Sequence, residues 1–357
     1  MMDENQTLVI DGRPIGYGFP VYIIAEAGVN HNGDIKTAKA MIEEASCSGV
    51  DAVKFQTYTT RELILKDAMK APYQELTTKR DETQYEMLER LEIDNRFHRE
   101  LIECCQKNSV TFLSTPYDES SLGMLLKLKI AAIKVASTDA NNLIFLEKIG
   151  RERLPVILST GMCTLGEIDS SVKQLSESGC QKLVILQCTS EYPAPEHEVN
   201  LRCITTLSGL FGVPIGFSDH TRGIGAAPYA VAAGATVIEK HFTLDKRQEG
   251  PDHKASLNPE ELKMLVQEIR RVERLLGNGQ IGPSISEWKN RPYLQKCLTT
   301  RKAISFGERF SFKNLVAKRT GGRGISAALS SLVIGKKSRY DFNQGEIIFF
   351  KDLGDEE

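Results

Sequence analysis

Lys54 and Lys134 stand inside short apolar runs, Ala52–Thr57 and Ala132–Ala136, where an ammonium group is costly unless it meets a carboxylate or a bound anion. Hydroxyl residues lie at the ends of similar runs: Thr115, Ser137, Ser159, Ser190 and Ser218. The four serines can each donate a neutral hydrogen bond to a phosphate oxygen. His220 and His241 close two consecutive runs, and two imidazoles with open positions beside them suit a catalytic divalent ion rather than a closed structural zinc site. Glu26, Glu239 and Asp252 offer carboxyl groups either for proton transfer or for hydrogen bonds to a polyol. The set fits a small substrate carrying both phosphate and carboxylate. His98 and His197 read as surface residues of a helix and a loop.

These residues can meet only if the runs that carry them converge. Eight runs rich in β-branched residues recur: Val21–Ala27, Ala52–Thr57, Val110–Thr115, Ala132–Ala136, Pro155–Ser159, Leu183–Cys188, Val213–Phe217 and Thr236–His241. Near-continuous apolar character marks strands buried on both faces, as in a parallel sheet covered by helices. Between them, Thr37–Ser46, Gln84–Lys107, Glu119–Leu128, Gly166–Glu177 and Pro259–Leu276 show helical spacing. Asn258-Pro259-Glu260-Glu261 is a helix start: a capping side chain, a proline in the first turn, and acids at the positive end of the dipole. Eight βα units in about 280 residues predict a (β/α)₈ barrel, an α/β TIM fold with its site at the carboxyl ends of the strands. A doubly wound open sheet is the alternative.

Residues 61–83, rich in charge and threonine, read as a lid or binding loop on the catalytic side. The glycine-rich stretch after Leu276 marks a boundary. The expected division is a catalytic barrel over 1–282, a linker over 283–294 and a small β-rich domain over 295–357. Arg319-Thr320-Gly321-Gly322-Arg323-Gly324 lacks the lysine-hydroxyl pair of a nucleotide loop and reads as a solvated basic turn.

Among the 357 residues, 45 Lys and Arg stand against 47 Asp and Glu, so the net charge of −2 supplies no field to attract nucleic acid. The eight cysteines include no Cys-x-x-Cys pair, which suits thiols in a reducing cytosol. There is no signal-like start and no apolar run of the roughly 20 residues that span a bilayer. A cytoplasmic protein without membrane partners is expected.

In order along the chain, IAEAGVNHNGD (24–34), VKFQTY (53–58), FLSTPYD (112–118), ILSTGM (157–162), QCTSEYPAP (187–195), GFSDHTRGI (216–224), IEKHFTLD (238–245) and GPDHKASLNPEEL (250–262) strongly resemble the sialic acid synthase family. The C-terminal segment is similar to type III antifreeze protein, the SAF domain. The resemblance implies a metal-dependent condensation of phosphoenolpyruvate with an N-acetylated aminosugar, N-acetylmannosamine in the best-known members, to a nine-carbon 2-keto acid and phosphate. It also implies a domain-swapped homodimer in which the small domain of one subunit caps the barrel of the other. Lys54, Thr115, Lys134, Ser137, Ser159, Ser190 and Ser218 align with contacts to phosphoenolpyruvate, and His220 and His241 with ligands of Mn²⁺ or Mg²⁺. Glu26, Gln56, Tyr192 and Asp252 align with sugar contacts. Arg319 aligns with an arginine that crosses the dimer toward the N-acetyl group, and Tyr293 with an aromatic near the linker. Glu26, Lys54, Lys134, Glu239, His220 and His241 form the expected catalytic set, with Glu239 assisting water addition.

Two departures stand out. Lys134-Val135-Ala136-Ser137-Thr138-Asp139 replaces the common Lys-Ile-x-Ser-Gly-Glu, and Ser190 stands where some bacterial members carry Asn. Legionaminic and pseudaminic acid synthases, which share these motifs and take 2,4-diacetamido-6-deoxy hexoses, are the alternative; GPDHKASL and the KAPYQ segment (70–74) lean toward the neuraminic and legionaminic branches. A non-catalytic sugar-binding homologue is the reading from another class, and the intact Lys54, Lys134, His220 and His241 weigh against it.

Overall fold

All eight apolar runs form strands. In the computed structural model, which describes residues 7–71, 74 and 82–354, they are β3 (Tyr22–Gly28), β4 (Ala52–Thr57), β5 (Thr111–Pro116), β6 (Ile133–Val135), β7 (Val156–Ser159), β8 (Leu183–Cys188), β9 (Ile215–Asp219) and β10 (Val237–His241). They pair in parallel in the order β5-β4-β3-β10-β9-β8-β7-β6. β5 and β6 stand side by side without a hydrogen-bonded ladder, so the sheet curls into a near-closed TIM-like barrel rather than an open sheet. β9 begins two residues later than expected, because Pro214 has no N–H to give to a ladder.

Alternation along the strands divides the core in two. Ile23, Val53, Phe112, Ile133, Leu158, Ile185, Phe217 and Ile238 face outward and pack under the helices. Tyr22, Ile24, Ala52, Leu113, Ala132, Ile157, Val184, Leu186 and Val237 face inward. A short antiparallel hairpin, β1 (Leu8–Ile10) and β2 (Arg13–Ile15), turns at Asp11-Gly12 and was not anticipated from the sequence. Its Leu8, Ile10 and Ile15 pack on the inward-facing set at the amino ends of the strands and seal the barrel floor.

The helices are α1 (Ile35–Ser48), α2 (Thr60–Leu63), α3 (Gln84–Leu91), α4 (Asn95–Lys107), α5 (Glu119–Lys127), α6 (Leu143–Arg151), α7 (Leu165–Glu177), α8 (Arg202–Phe211), α9 (Ala227–Ala232) and α10 (Pro259–Leu276). The single helix expected over Gln84–Lys107 is two. The Asp94 side chain accepts from the Phe97 N–H and starts α4, the local bond by which aspartate competes with a continuing helix. α10 opens with the expected cap, a box in which Asn258 and Glu261 satisfy each other's backbone N–H. Within the stretch read as a lid, residues 72–73 and 75–81 lie outside the described residues, and with them part of the KAPYQ segment.

The chain divides into two compact units, Met1–Asn278 and Gly279–Glu357. In the second, the stretch expected as linker is helical over α11 (Ile285–Leu294), and β11 (Lys296–Thr300) pairs antiparallel with β12 (Leu315–Arg319). Leu298, Ile304, Phe310, Leu315, Ile325, Val333 and Ile348 give this unit its own core. No helix among the described residues is long and apolar enough to cross a membrane.

Because Ile10 is fully buried against the barrel floor, Ile10→Ala should cost about 2–5 kcal/mol, read as a lower denaturant midpoint with an unchanged slope.

Candidate active site

Two residues along each barrel strand, the inward side chain changes from apolar or absent to polar. The steps are Ile24 to Glu26, Ala52 to Lys54, Leu113 to Thr115, Ala132 to Lys134, Ile157 to Ser159, Leu186 to Cys188, Gly216 to Ser218 and Val237 to Glu239. Helices and the sealed floor exclude water from below, so this second layer can be reached only from the carboxyl ends of the strands. Cys188 is the member that sequence reasoning missed; its position two residues after Leu186 is the signal that would have found it.

Two lysines and two glutamates share this layer. Lys54 Nζ lies 2.7 Å from Glu26 Oε2, 3.7 Å from Glu239 Oε2 and 3.1 Å from Thr115 Oγ1. Lys134 Nζ lies 3.7 Å from Glu239 Oε1 and donates to Ser159 Oγ at 2.7 Å, while Ser218 Oγ donates to Glu239 at 3.0 Å. None of the four charged side chains is more than 6% exposed.

Burial disfavours every charge in this layer, and the neighbours decide the outcome. At Lys54 the two carboxylates outweigh burial and raise the ammonium pKa, whereas at Lys134 burial wins and lowers it. Burial raises the Glu26 carboxyl to about 7 despite Lys54. Burial would raise Glu239 too, but Lys134, Lys54 and the Ser218 hydroxyl bring it down to about 2. The two glutamates are thus pushed in opposite directions, Glu26 toward its protonated form and Glu239 toward its ionised form. The Lys54 ammonium is the ionic neighbour of both Oε2 atoms, at 2.7 Å from Glu26 and 3.7 Å from Glu239.

The imidazoles stand beside this cluster. The ring centroids of His220 and His241 are 5.5 Å apart, and Tyr192 packs on both, 4.1 Å from His220 and edge-on at 5.6 Å from His241. His220 Nδ1 donates to the Thr189 carbonyl at 2.7 Å, so its Nε2 carries the lone pair, 3.3 Å from Ser218 Oγ. His241 Nδ1 is buried without a hydrogen-bond partner, 3.8 Å from Asp252 Oδ2. Burial pushes both below the ordinary histidine value, His220 to about 4, which keeps them neutral, the form that binds metal. Among the described residues no group of three or more His, Cys, Asp or Glu converges for an ion. An ion held here would rest on two imidazoles and keep its remaining positions open.

Behind the histidines the alternate residues make a second, outward-facing ion pair. Lys240 Nζ lies 3.1 Å from Asp219 Oδ2 and donates to the Thr221 carbonyl, while Asp219 also accepts from the Thr221 and Ala227 N–H groups. These bonds tie the ends of β9 and β10 together.

The remaining expected residues of the barrel unit converge on the same mouth. Gly28 adopts a left-handed φ of 53°, and a Cβ there would lie 3.3 Å from Glu26 Oε1 and 3.6 Å from both Asp252 Oδ2 and Gln56 Nε2. Burial raises the Asp252 carboxyl to about 6. A Cβ on Gly161 would fall 2.9 Å from Ser137 Oγ and 2.7 Å from Cys188 Sγ, and would overlap Ser190 Oγ. Tyr293 and Arg319 belong to the other unit, where Tyr293 is exposed on α11 and Arg319 is exposed at the end of β12. His98 is not a surface residue: it is fully buried under β4, with Nδ1 donating to the Asp94 carbonyl and Nε2 2.7 Å from Thr57 Oγ1. The apolar face of α4 turned it inward. His197 is exposed, as read from the sequence.

The NeuB family profile matches residues 41–281. The chain belongs to the NeuB family. It is 47% identical to the N,N'-diacetyllegionaminic acid synthase of Campylobacter jejuni over 328 residues, 91% of this chain and 98% of that protein. It is 40% identical to the human N-acetylneuraminate-9-phosphate synthase over 273 residues, 75% of this chain and 74% of that one. Among solved structures, the N-acetylneuraminic acid (sialic acid) synthetase of Leptospira borgpetersenii, in complex with citrate, superposes with a TM-score of 0.74 at 35% identity, covering 81% of this chain and 96% of that one. This NeuB family chain thus has synthases as relatives across nearly its whole length.

The raised Glu26 carboxyl gives a pH signature. Between its ordinary value of 4.5 and about 7 the native group holds a proton that the unfolded chain has released, so stability should fall as pH rises through that window and level off above it. Glu26→Gln should flatten this slope in denaturant titrations across the range.

Proposed function

We propose that this NeuB family enzyme condenses phosphoenolpyruvate with a 2,4-diacetamido-6-deoxy hexose, in the manner of a legionaminic acid synthase, and releases inorganic phosphate. The observation that carries the reading is the buried Lys54–Glu26–Glu239–Lys134 cluster at the mouth of the barrel, ringed by Thr115, Ser137, Ser159, Ser190 and Ser218. For the acceptor, the support is the 47% identity over almost the full length of the C. jejuni legionaminic enzyme, against 40% over a shorter stretch of the human N-acetylneuraminate-9-phosphate synthase. The diacetamido sugar is therefore preferred to the N-acetylmannosamine of the best-known members.

In this reading Lys54 and Lys134 bind the two anionic groups of phosphoenolpyruvate, and the hydroxyls complete the phosphate contacts. The methylene carbon of phosphoenolpyruvate attacks the aldehyde of the open-chain sugar, forming the new carbon–carbon bond. Glu26, whose carboxyl burial pushes toward the protonated form, donates to the developing alkoxide. Glu239, held ionised by the lysines, faces the positive charge that grows at carbon 2. Water adds at that carbon, its first proton passing to Glu239, and the tetrahedral intermediate collapses to the ketone by C–O cleavage, the second proton leaving with the phosphate. Gln56, Tyr192 and Asp252 orient the sugar.

His220 and His241 would hold a divalent ion, Mn²⁺ or Mg²⁺, which when bound polarises the aldehyde oxygen. The orphaned, neutral His241 Nδ1 and the lone pair on His220 Nε2 suit that role. We also assign the second unit as an antifreeze-like SAF domain that caps the barrel of a partner in a domain-swapped homodimer. In that arrangement Arg319 reaches the N-acetyl group, with Tyr293 beside the linker.

Phosphate release from phosphoenolpyruvate should appear with the diacetamido sugar and be weaker with N-acetylmannosamine; release with neither would overturn the reading. Lys134→Met should lower kcat/KM by about 10²–10³-fold in that assay. Chelation should stop turnover and added Mn²⁺ restore it, while His220→Ala should lose Mn²⁺ binding, measured by paramagnetic resonance, with an unchanged melting curve. Arg319→Ala should raise KM for the sugar more than for phosphoenolpyruvate, and an equal rise in both would remove the cross-subunit arginine from the mechanism.

A further inference from the structure

Seven of the eight strands supply Glu, Lys, Ser or Thr to the polar layer, and β8 alone supplies a thiol. Cys188 is buried, and its Sγ lies 3.1 Å from Ser137 Oγ. The same oxygen accepts from the Gly161 N–H at 2.9 Å. A serine oxygen has two lone pairs and one hydrogen. With one lone pair on Gly161, the direction of the contact to sulfur decides what Ser137 can offer. If the hydroxyl hydrogen points at sulfur, a weak acceptor, the residue presents no donor to the mouth. If the thiol donates, the second lone pair is filled and the hydroxyl hydrogen is turned away from both partners. Ser137 is half-buried.

We propose that Cys188 is a positioning residue whose S–H donates to Ser137 Oγ and so turns the Ser137 hydroxyl outward as a donor to the substrate's phosphate. Burial raises the Cys188 pKa, so the thiol keeps the hydrogen it must give. Gly161 makes the arrangement possible, because any Cβ there would occupy the space between Ser137, Cys188 and Ser190. The inference rests on the proposed phosphate site and adds to it a residue that makes no contact with the phosphate itself.

The test is binding of inorganic phosphate to the full chain by calorimetry, with a thermal melt for each variant. Cys188→Ala should weaken phosphate binding about five-fold, the effect of one misdirected neutral hydrogen bond, while Cys188→Ser, which keeps a donor, should stay within about two-fold of the parent. Should Cys188→Ala not fold, Cys188→Val, which refills the volume without a donor, carries the same expectation. The deciding comparison is made in a Ser137→Ala background, where Cys188→Ala should have no further effect; a role in packing alone would persist there. Phosphate binding unchanged by loss of the thiol, or a full additional loss in the Ser137→Ala background, would overturn the inference alone. A parent chain that neither binds phosphate nor releases it from phosphoenolpyruvate would overturn the proposed function with it.

Discussion

Two ammonium groups and two carboxyl groups buried together at the mouth of a barrel set the terms for the rest of this structure. Desolvating any one of them alone would cost several kcal/mol, and mutual attraction offsets this only if the distances are held. The cluster is uneven. Lys54 lies against Glu26 at 2.7 Å, while Glu239 lies 3.7 Å from both lysines. Two lysines and the Ser218 hydroxyl pull the Glu239 carboxyl down, while burial keeps Glu26 above the ordinary range in spite of Lys54, although the two stand on adjacent strands with their carboxyl groups in one cavity. Charges fixed in this way need little rearrangement when an anion arrives, the condition under which electrostatic stabilisation is strongest.

What holds the charges is the packing on either side of them. Below, an apolar inward layer rests on the Leu8, Ile10 and Ile15 plug and keeps water from the lysines. Outside, the helices cover the opposite face of every strand. The Asp219–Lys240 pair works in the same frame. It points away from the mouth, yet it joins the two strand ends whose next residues are His220 and His241. The imidazole spacing therefore depends on an ion pair that faces the other way.

The chain belongs to the NeuB family, and its relatives are named as synthases of different products, N,N'-diacetyllegionaminic acid in one and N-acetylneuraminate 9-phosphate in another. The side that carries the lysines, built from strand interiors, and the side formed by Gln56, Tyr192 and Asp252 near loops are distinct parts of one mouth. On the proposed function the first would serve the common reaction and the second the choice of acceptor.

Much of this was legible in the residues alone. Eight apolar runs imply eight buried strands, because burial on both faces needs unbroken hydrophobicity, and lysines inside such runs announce an unusual environment. Helix starts at Asn258 and Asp94 are local chemistry, although the second was passed over because helical periodicity continues across it. The N-terminal hairpin was not legible: three-residue strands carry too little pattern, and their role as a plug exists only once the barrel does. The burial of His98 beneath β4 and the pairing of Asp219 with Lys240 depend on which face of a strand or helix meets another element, so residue type does not reveal them. The same holds for Cys188. Its chemistry comes from a hydroxyl 51 positions away and a backbone N–H on a third segment, brought within 3.1 Å by barrel closure. Composition and periodicity determine which residues must be buried; the tertiary fold alone decides what each buried polar atom touches, because hydrogen bonds and ion pairs depend on distance in space and not along the chain.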